Sequence, residues 1–414
     1  MLYTPHNYIE KINKITFNFI WDGKPPKIKR KTIISEKKDG GLKMCDFEIM
    51  EKALKIAWIN RIQNQSHASW KIIPDHLLQC HGGLAFLTNC RYDTKTLKLD
   101  SLPDFYRSIL ENWQYFKTLS SNEKDIKDEV LWNNCNILID KKPVFFRNWF
   151  SKDIVHLHHL LNEHGKFYTL DEFKTKYNLE VPFTIFYGLI EAIPNAWKSK
   201  LKRCGQIESV KQLDKKLLST SSIYSTILYN TFVQPTSQSK ILRHNFTENN
   251  VHKVYQLPFT ITKEVKIIMF QYKIIHSILP TQMSLYRDGI SESDLCSFCK
   301  VEKQTINHLL VDCSKTVSFW KIFQEWWHGK TQETLSLNKS QILYGFFEKT
   351  SHWQALNYSI ILAKYHIFCS NSHQDEPCFQ SFLLRLQDKL QILKEIATAK
   401  KTLEKYNHRW SVLH

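Results

Sequence analysis

Four residues in the last third of the chain have the types and spacing of a metal site. Cys296 and Cys299 are separated by two residues, His308 follows after eight more, and Cys313 after another four. Two cysteines so spaced on a tight turn can present both thiolates to one ion. Three thiolates and one imidazole form a closed tetrahedral set, which is typical of structural Zn²⁺ and leaves no position for a catalytic water. We therefore expect a small zinc-binding unit near 290–316.

The segment between the last two candidate ligands sets a condition on this site. Residues from Thr305 onward, including Ile306 and Leu309, have the apolar spacing of a helix. Five residues of an ideal helix turn by about 140°, so Cys313 would face away from His308. Both can bind one ion only if the helix ends or loosens between them. The alternative is a set of reduced core cysteines beside an unrelated histidine.

The residues around the candidate ligands bear on charge and on catalysis. Three thiolates, a neutral imidazole and Zn²⁺ sum to a charge of roughly −1, which we expect Lys300, Lys303 and Lys315 to offset. A nucleobase deaminase needs H-x-E upstream and a proline before its first cysteine. This chain has no H-x-E, and Leu295 precedes the first cysteine.

Other catalytic motifs are missing from the sequence. No Gly-Lys pair has the second glycine of a P-loop, and neither G-x-G-x-x-G nor G-x-S-x-G occurs. The chain also has no H-E-x-x-H and no Asp-Asp pair. Two-metal phosphoryl transfer needs several convergent carboxylates. We therefore expect no enzymatic activity.

The charge balance points to a polyanionic partner. Lys+Arg 57 against Asp+Glu 40 gives a net charge of +17, which favours nucleic acid first and an anionic membrane surface second. We predict phosphate contacts of RNA and/or single-stranded DNA at two basic clusters, although a run of lysines can also be plain solvated surface. The clusters are Lys24, Lys27, Lys29, Arg30 and Lys31, and Lys198, Lys200, Lys202 and Arg203.

Two further groups have structural explanations. His156, His158 and His159 could bind a metal, but a solvated basic helix face is the more common role of such a run. Trp320, Trp326 and Trp327 belong to an aromatic run that follows the cysteines. We expect them in the core rather than as platforms for stacked bases.

Composition predicts a mainly α, multi-helix fold. Only 11 glycines and 12 prolines occur in 414 residues, well under the usual shares of roughly 7% and 5%. The length suggests two to three subdomains, and we divide the chain into helical regions at 1–210, 211–330 and 331–414, with a soft first boundary near 205–215. The sequence shows no signal peptide and no transmembrane stretch. Ten cysteines fit reduced thiols in a cytoplasmic and/or nuclear protein.

Apolar spacing and capping signals place several helices. We expect helices over 4–21 and 47–64, joined by a basic loop at 22–42, with Asp46 capping the second. Phe47, Met50, Leu54, Ala57 and Trp58 would form its apolar stripe. A further capping box is expected at Thr169-x-x-Glu172. Helices are also expected at 262–278, 354–369 and 379–405, with Ala355–Cys369 buried in a core.

Two segments of the chain resemble a known protein family. Phe17–Ile62 is similar to the segment after the polymerase core in reverse transcriptases of non-LTR retrotransposons, the long-interspersed-element type. The similarity at that segment lies in Phe19-Ile20-Trp21, Gly40-Gly41-Leu42, Asp46-Phe47 and Trp58. The family's Cys/His zinc-knuckle-like motif follows a helix ending in Leu-Pro and precedes Phe-Trp. Leu279-Pro280 and Phe319-Trp320 match these flanks in the same order.

The resemblance implies RNA and DNA handling during target-primed reverse transcription, through binding rather than catalysis. The family's [FY]-x-D-D polymerase motif and its endonuclease lie upstream of this region, and neither is present here. We expect the C-terminal portion of an element protein, as a remnant, a truncated gene model or a co-opted fragment, with a polymerase supplied in trans. The alternative is a helical scaffold or interaction protein, or a relic with no selected activity. Salt dependence of nucleic-acid affinity separates these two hypotheses.

Overall fold

The chain is mainly α-helical, as its composition predicts. A computed structural model describes residues 5–63, 68–89, 99–120, 126–134, 136–201, 219–347 and 352–413. Within these ranges the one sheet is a two-stranded antiparallel ribbon, β1 (Leu138–Ile139) and β2 (Lys142–Pro143), with Leu138 opposite Pro143. No helix in the same ranges has both the length and the apolar character needed to cross a bilayer.

The described residues divide into two compact units. Unit 1 comprises Met1–Lys24 and Cys45–Phe232, and unit 2 comprises Pro25–Met44 and Val233–His414. The helices of unit 1 are α1 (His6–Ile20), α3 (Phe47–Gln63), α4 (Ile72–Gln79), α5 (Gly83–Asn89), α6 (Asp104–Ser120), α7 (Arg147–Phe150), α8 (Leu170–Tyr177), α9 (Phe183–Ala192), α10 (Asn195–Leu201) and α11 (Thr220–Asn230). Those of unit 2 are α2 (Arg30–Ile34), α12 (Thr236–Leu242), α13 (Glu248–Ile261), α14 (Val265–Ile275), α15 (Gln282–Arg287), α16 (Ser314–Thr331), α17 (Lys339–Tyr344), α18 (Trp353–Ser372), α19 (Phe379–Ala399) and α20 (Leu403–Trp410).

Short segments of other helix types complete both units. Single 3₁₀ turns lie at Lys37–Asp39, Ser69–Lys71, Leu99–Ser101, Ile126–Asp128, Leu157–Leu160 and Ser411–Leu413, and a π-helical turn lies at His308–Asp312. The two units differ from the three regions expected from the sequence. Buried residues of α17, α18, α19 and α20 share one core with α13, α14 and α16. The expected boundary near 205–215 lies outside the described residues.

Helix α3 is the central element of unit 1. Its N-terminus is capped as predicted, since Asp46 Oδ1 accepts hydrogen bonds from the backbone N–H groups of Glu48 (2.9 Å) and Ile49 (3.1 Å). The predicted apolar stripe is wrong in part: Leu54 is 45% exposed, whereas Ile56 is fully buried. The reason is that α1, α6 and α11 all pack against α3, so more than one face of the helix is covered.

Helix α18 is the most buried element of unit 2, in agreement with the core helix predicted at Ala355–Cys369. It packs against α13, α14, α19 and α20. Lys364, in its middle, is fully buried and donates to Gln271 Oε1 (2.6 Å) and to the carbonyl of Leu343 (3.0 Å). Burial without a carboxylate partner lowers the pKa of Lys364 well below its ordinary value. The predicted helix at 379–405 is divided into α19 and α20 at Lys401, which has a φ of 54°.

The basic segment expected as a loop at 22–42 is partly helical. It contains α2 and a 3₁₀ turn, and it buries Ile33 and Ile34 in unit 2. Two glycines allow the backbone of this segment to turn back and pass close to Ser35. Gly40 has a φ of +84°, and its carbonyl oxygen accepts a hydrogen bond from the Tyr272 hydroxyl (3.1 Å). A Cβ at Gly41 would lie 1.9 Å from the Ser35 carbonyl oxygen, which explains why both positions are glycine.

We predict that Gly41→Ala destabilises unit 2 by about 1–3 kcal/mol, because the added methyl overlaps backbone atoms that cannot move independently. Gly329→Ala is the matched control, since a Cβ at that helical position meets nothing within 4 Å. There alanine should stabilise by up to about 1 kcal/mol. Chemical unfolding measures both variants, and equal stabilities would contradict the proposed steric role of Gly41.

Candidate metal centre

The four predicted ligands converge in unit 2. One ligand atom from each of Cys296, Cys299, His308 and Cys313 lies within 4.8 Å of every other. Cys299 Sγ is 3.4 Å from His308 Nε2, and Cys296 Sγ is 3.9 Å from Cys313 Sγ. Tetrahedral zinc with ordinary Zn–S and Zn–N bonds separates its ligand atoms by about 3.5–3.8 Å. The donor set and its spacing therefore fit a structural zinc ion.

The first two ligands lie on a short hairpin. Leu295 and Lys303 form an antiparallel bridge, and the N–H of Cys296 donates to the carbonyl of Glu302 (2.7 Å). The N–H of Lys300 closes the turn onto the carbonyl of Cys296 (2.8 Å), and Lys300 has a φ of +60°. This turn carries the Cys-x2-Cys spacing and brings the second thiol back beside the first.

The last two ligands are brought together by an irregular turn. His308–Asp312 is π-helical, and the N–H of Cys313 donates to the carbonyl of His308 at 2.8 Å. This hydrogen bond joins residues i and i+5, so the turn is wider than the turn of about 3.6 residues in an α-helix. Cys313 is therefore brought back toward His308. The helix loosens between the two ligands, which is the condition stated above for both of them to bind one ion. The sulfur of Cys313 then lies at the start of α16.

Two polar residues around the ligands were not identified from the sequence. Glu302 Oε2 lies 3.1 Å from His308 Nδ1, within ion-pair distance, although the angle falls short of an aligned hydrogen bond. A carboxylate on the far nitrogen of a metal-binding imidazole orients the ring and fixes which nitrogen faces the ion. The only feature of the sequence that could have pointed to Glu302 is its position three residues after Cys299. That spacing by itself does not indicate a function.

Gln304 is the second such residue, and it is completely buried. Its Nε2 lies 3.8 Å from Cys296 Sγ and donates to Asn371 Oδ1 on α18 at 2.8 Å. Its Oε1 accepts from the backbone N–H of Gln282 at the start of α15 (2.9 Å). Gln304 thus ties the hairpin to two helices, through contacts that no local pattern predicts.

The thiols of the centre differ in acidity. Burial disfavours the Cys299 thiolate, but the backbone N–H groups of Glu302 and Val301, with the imidazole of His308, outweigh burial and lower the pKa of Cys299 to about 6. Burial raises the pKa of Cys313 to about 11, although two backbone N–H groups donate toward its sulfur. A metal bound at this group would displace a proton from Cys313, because thiolates are the ligands.

Two of the three lysines expected to offset the charge, Lys303 and Lys315, pair with carboxylates. Lys303 pairs with Asp294 (2.9 Å) and Lys315 pairs with Glu376 (2.6 Å). Their charge is therefore shared with carboxylates rather than directed only at the thiolates.

The first basic cluster is divided between the units. Lys24 belongs to unit 1 and lies 3.8 Å from Asp22, whereas Lys27, Lys29, Arg30 and Lys31 belong to unit 2. The lysines at 27, 29 and 31 are exposed, and Arg30 is half-buried. Unit 2 therefore contains both the Cys/His group and three exposed lysines of this cluster.

The second basic cluster offers fewer described, unpaired cations for phosphate contacts than the sequence predicted. Lys198 is only 16% exposed and its Nζ lies 3.6 Å from Glu191 Oε2, so its charge has an acidic partner. Lys200 is exposed on α10. Lys202 and Arg203 lie outside the described residues.

Comparison with known families identifies the segment around the centre. Residues 236–320 match the family described as zinc-binding in reverse transcriptase. The match contains all four Cys/His residues and extends from α12 into α16. The resemblance to a reverse-transcriptase zinc-binding region, inferred from the sequence, is confirmed for this segment. No curated protein matches the chain.

The hairpin of this zinc-binding region generates a prediction. Lys300 adopts the left-handed conformation, which costs a residue with a Cβ about 1–2 kcal/mol. Lys300→Gly should therefore raise the free energy of unfolding by up to about 1 kcal/mol. Lys300→Ala removes the same charge but keeps the Cβ, so it should give no such gain. Thermal unfolding of the two variants tests this, and equal gains would assign the effect to charge.

Proposed function

We propose that the chain is a non-catalytic, nucleic-acid-binding region from the C-terminal part of a non-LTR retrotransposon reverse transcriptase, stabilised by a structural zinc ion. One observation carries the proposal. The Cys/His group and the basic segment 25–44 belong to one compact unit, whose residues 236–320 match the zinc-binding family. Gly40-Gly41-Leu42, the central part of the first motif of the resemblance, thus lies in the same unit as the Cys/His motif, whereas the rest of that motif belongs to unit 1.

Zinc would be held by Cys296, Cys299, His308 and Cys313, with Glu302 orienting the imidazole. Soft thiolates with one imidazole favour zinc over magnesium or calcium, which prefer oxygen ligands. When bound, the ion would link the hairpin to the start of α16. The four protein ligands would fill its coordination shell, which supports a structural role and no chemistry at the ion.

Nucleic-acid binding would depend on the lysines of the basic segment. Burial of Ile33 and Ile34, with the close return at Gly41, fixes the backbone of this segment. The exposed lysines at 27, 29 and 31 are then held on a folded surface, where they can contact successive phosphates of RNA or single-stranded DNA. The polymerase would be supplied in trans, and the site of action would be cytoplasmic and/or nuclear.

We predict one equivalent of zinc per chain. Cys296→Ser should abolish it and lower the stability of unit 2 by several kcal/mol, since structural zinc contributes about 10–16 kcal/mol of apparent binding free energy in zinc-finger peptides. Cys378→Ser is the matched control, because Cys378 lies in the same unit, is exposed and stands outside the cluster. Elemental analysis and chemical unfolding measure the effects. Protein purified without chelators that contains no zinc would contradict the assignment.

We predict that log affinity for single-stranded RNA falls linearly with log salt concentration. The triple variant Lys27→Ala, Lys29→Ala, Lys31→Ala should reduce the slope by up to about 2 units, because each phosphate contact on a single strand contributes about 0.7. Arg30 is kept, since it is half-buried. A salt titration by fluorescence anisotropy measures the slopes.

The control variant removes three exposed lysines elsewhere in unit 2, at Lys394, Lys400 and Lys405. It loses the same net charge, so a smaller change in slope would assign the contacts to the basic segment. Equal slopes for wild type and both variants would instead favour the scaffold or relic hypothesis, in which the lysines are only solvated.

A further inference from the structure

A pocket in unit 1 is unrelated to the zinc-binding region. It has a volume of about 510 Å³, and its lining includes His158, His159, Tyr168, Lys176 and Tyr177. Small-molecule sites commonly occupy about 300–1,000 Å³. The lining comes from the 3₁₀ turn Leu157–Leu160, the loop that follows it and α8.

The histidines on this wall form an aromatic surface rather than a metal site. Among the described residues they are not part of any group of three or more side chains that could hold an ion. The rings of His158 and His159 lie 4.1 Å apart between centroids. His159 Nδ1 accepts from the backbone N–H groups of Val155 (3.2 Å) and His156 (3.0 Å), so the ring proton lies on Nε2. Burial lowers the pKa of His159 to about 4, which keeps the ring neutral.

Helix α8 and the loop before it contribute a cation with aromatic partners to the lining, beside the histidines, since the Tyr177 hydroxyl donates to the carbonyl of His159 (2.8 Å). The ammonium group of Lys176 lies 4.7 Å from the ring centroid of Tyr168 and 5.6 Å from that of Tyr177, and it contacts the Tyr168 hydroxyl. No described carboxylate lies within ion-pair distance of it. Lys174, on the same helix, instead pairs with Glu180 at 3.3 Å. Aromatic rings orient the charge of Lys176 without neutralising it, so the pocket keeps a positive charge for a ligand.

An amide also borders the pocket. Asn162 Oδ1 accepts hydrogen bonds from the backbone N–H groups of His164 and Lys166, both at 3.0 Å. With its oxygen so occupied, the amide offers its N–H groups as donors. The lining includes one carboxylate, that of the exposed Glu163, which can accept from an exocyclic amine.

We propose that this pocket binds a single nucleotide. The base would stack on the histidine and tyrosine rings, and the phosphate would pair with Lys176. Flat aromatic surfaces, one unneutralised cation and an amide donor are what a nucleoside phosphate requires. The nucleotide can be free in solution or one residue of a single strand, because both present the same base and phosphate. The proposal does not depend on zinc or on the basic segment, which belong to unit 2.

Calorimetric titration of the full chain with AMP, UMP and inorganic phosphate tests this. We expect saturable binding of a nucleotide and at least tenfold weaker binding of phosphate alone. Lys176→Ala should lower nucleotide affinity at least tenfold, whereas the matched control Lys174→Ala should change it less than twofold. Tyr168→Ala should also cost about tenfold or more through lost stacking, whereas Tyr168→Phe, which keeps the ring, should cost less than threefold.

A short single-stranded oligonucleotide distinguishes the two sources of the ligand. A Lys176→Ala effect seen only with the oligonucleotide would support a nucleotide bound within a strand, and the same effect with AMP or UMP would support a free one. Equal affinities of the Lys176→Ala and Lys174→Ala variants for every probe would overturn the proposal. So would phosphate binding as tightly as AMP. Neither result would bear on zinc content or on the salt slope of the basic segment, so the two proposals fail separately.

Discussion

The backbone hydrogen bond from Cys313 to the carbonyl of His308 is the interaction on which the metal centre depends. It closes the wide turn that returns a thiol to the side of an imidazole. The same residue then begins α16, whose Phe319 and Phe323 are buried in the core of unit 2. A change in this turn would therefore alter both the ligand geometry and the position of a core helix.

Buried polar contacts extend this constraint to the rest of the unit. Gln304 joins the hairpin to α15 and α18, and Gln271 and Lys364 join α14 to the carbonyl of Leu343 at the end of α17. Such groups cost free energy when they are left unpaired in an apolar interior, so each contact favours one arrangement of its helices. The arrangement of the helices in unit 2 is therefore determined by buried polar networks as well as by apolar packing.

Local signals in the sequence predicted local features well. The Asp46 cap and the Thr169–Glu172 capping box are confirmed, and the bounds of α1 and α3 agree with the prediction to within two residues. Each of these features depends on residues within one turn. Spacing also predicted which four side chains converge. Long-range features were not predictable. Leu54 was assigned to the apolar stripe of α3 and is 45% exposed. The basic segment belongs to unit 2 although it directly follows α1. Only tertiary packing determines either feature.

The buried amine of Lys364 has a chemical consequence. Acylating reagents modify the exposed lysines of a folded protein readily, but Lys364 has no surface for them to reach. Its acetylation must wait until unit 2 opens, so the rate of that modification measures the frequency of opening. An acetylated side chain is also larger than the space left between Gln271 and Leu343 in a close-packed core. A molecule acylated at Lys364 during an opening event could thus not return to the native packing. The fraction of molecules modified at Lys364 would therefore increase with each opening of unit 2.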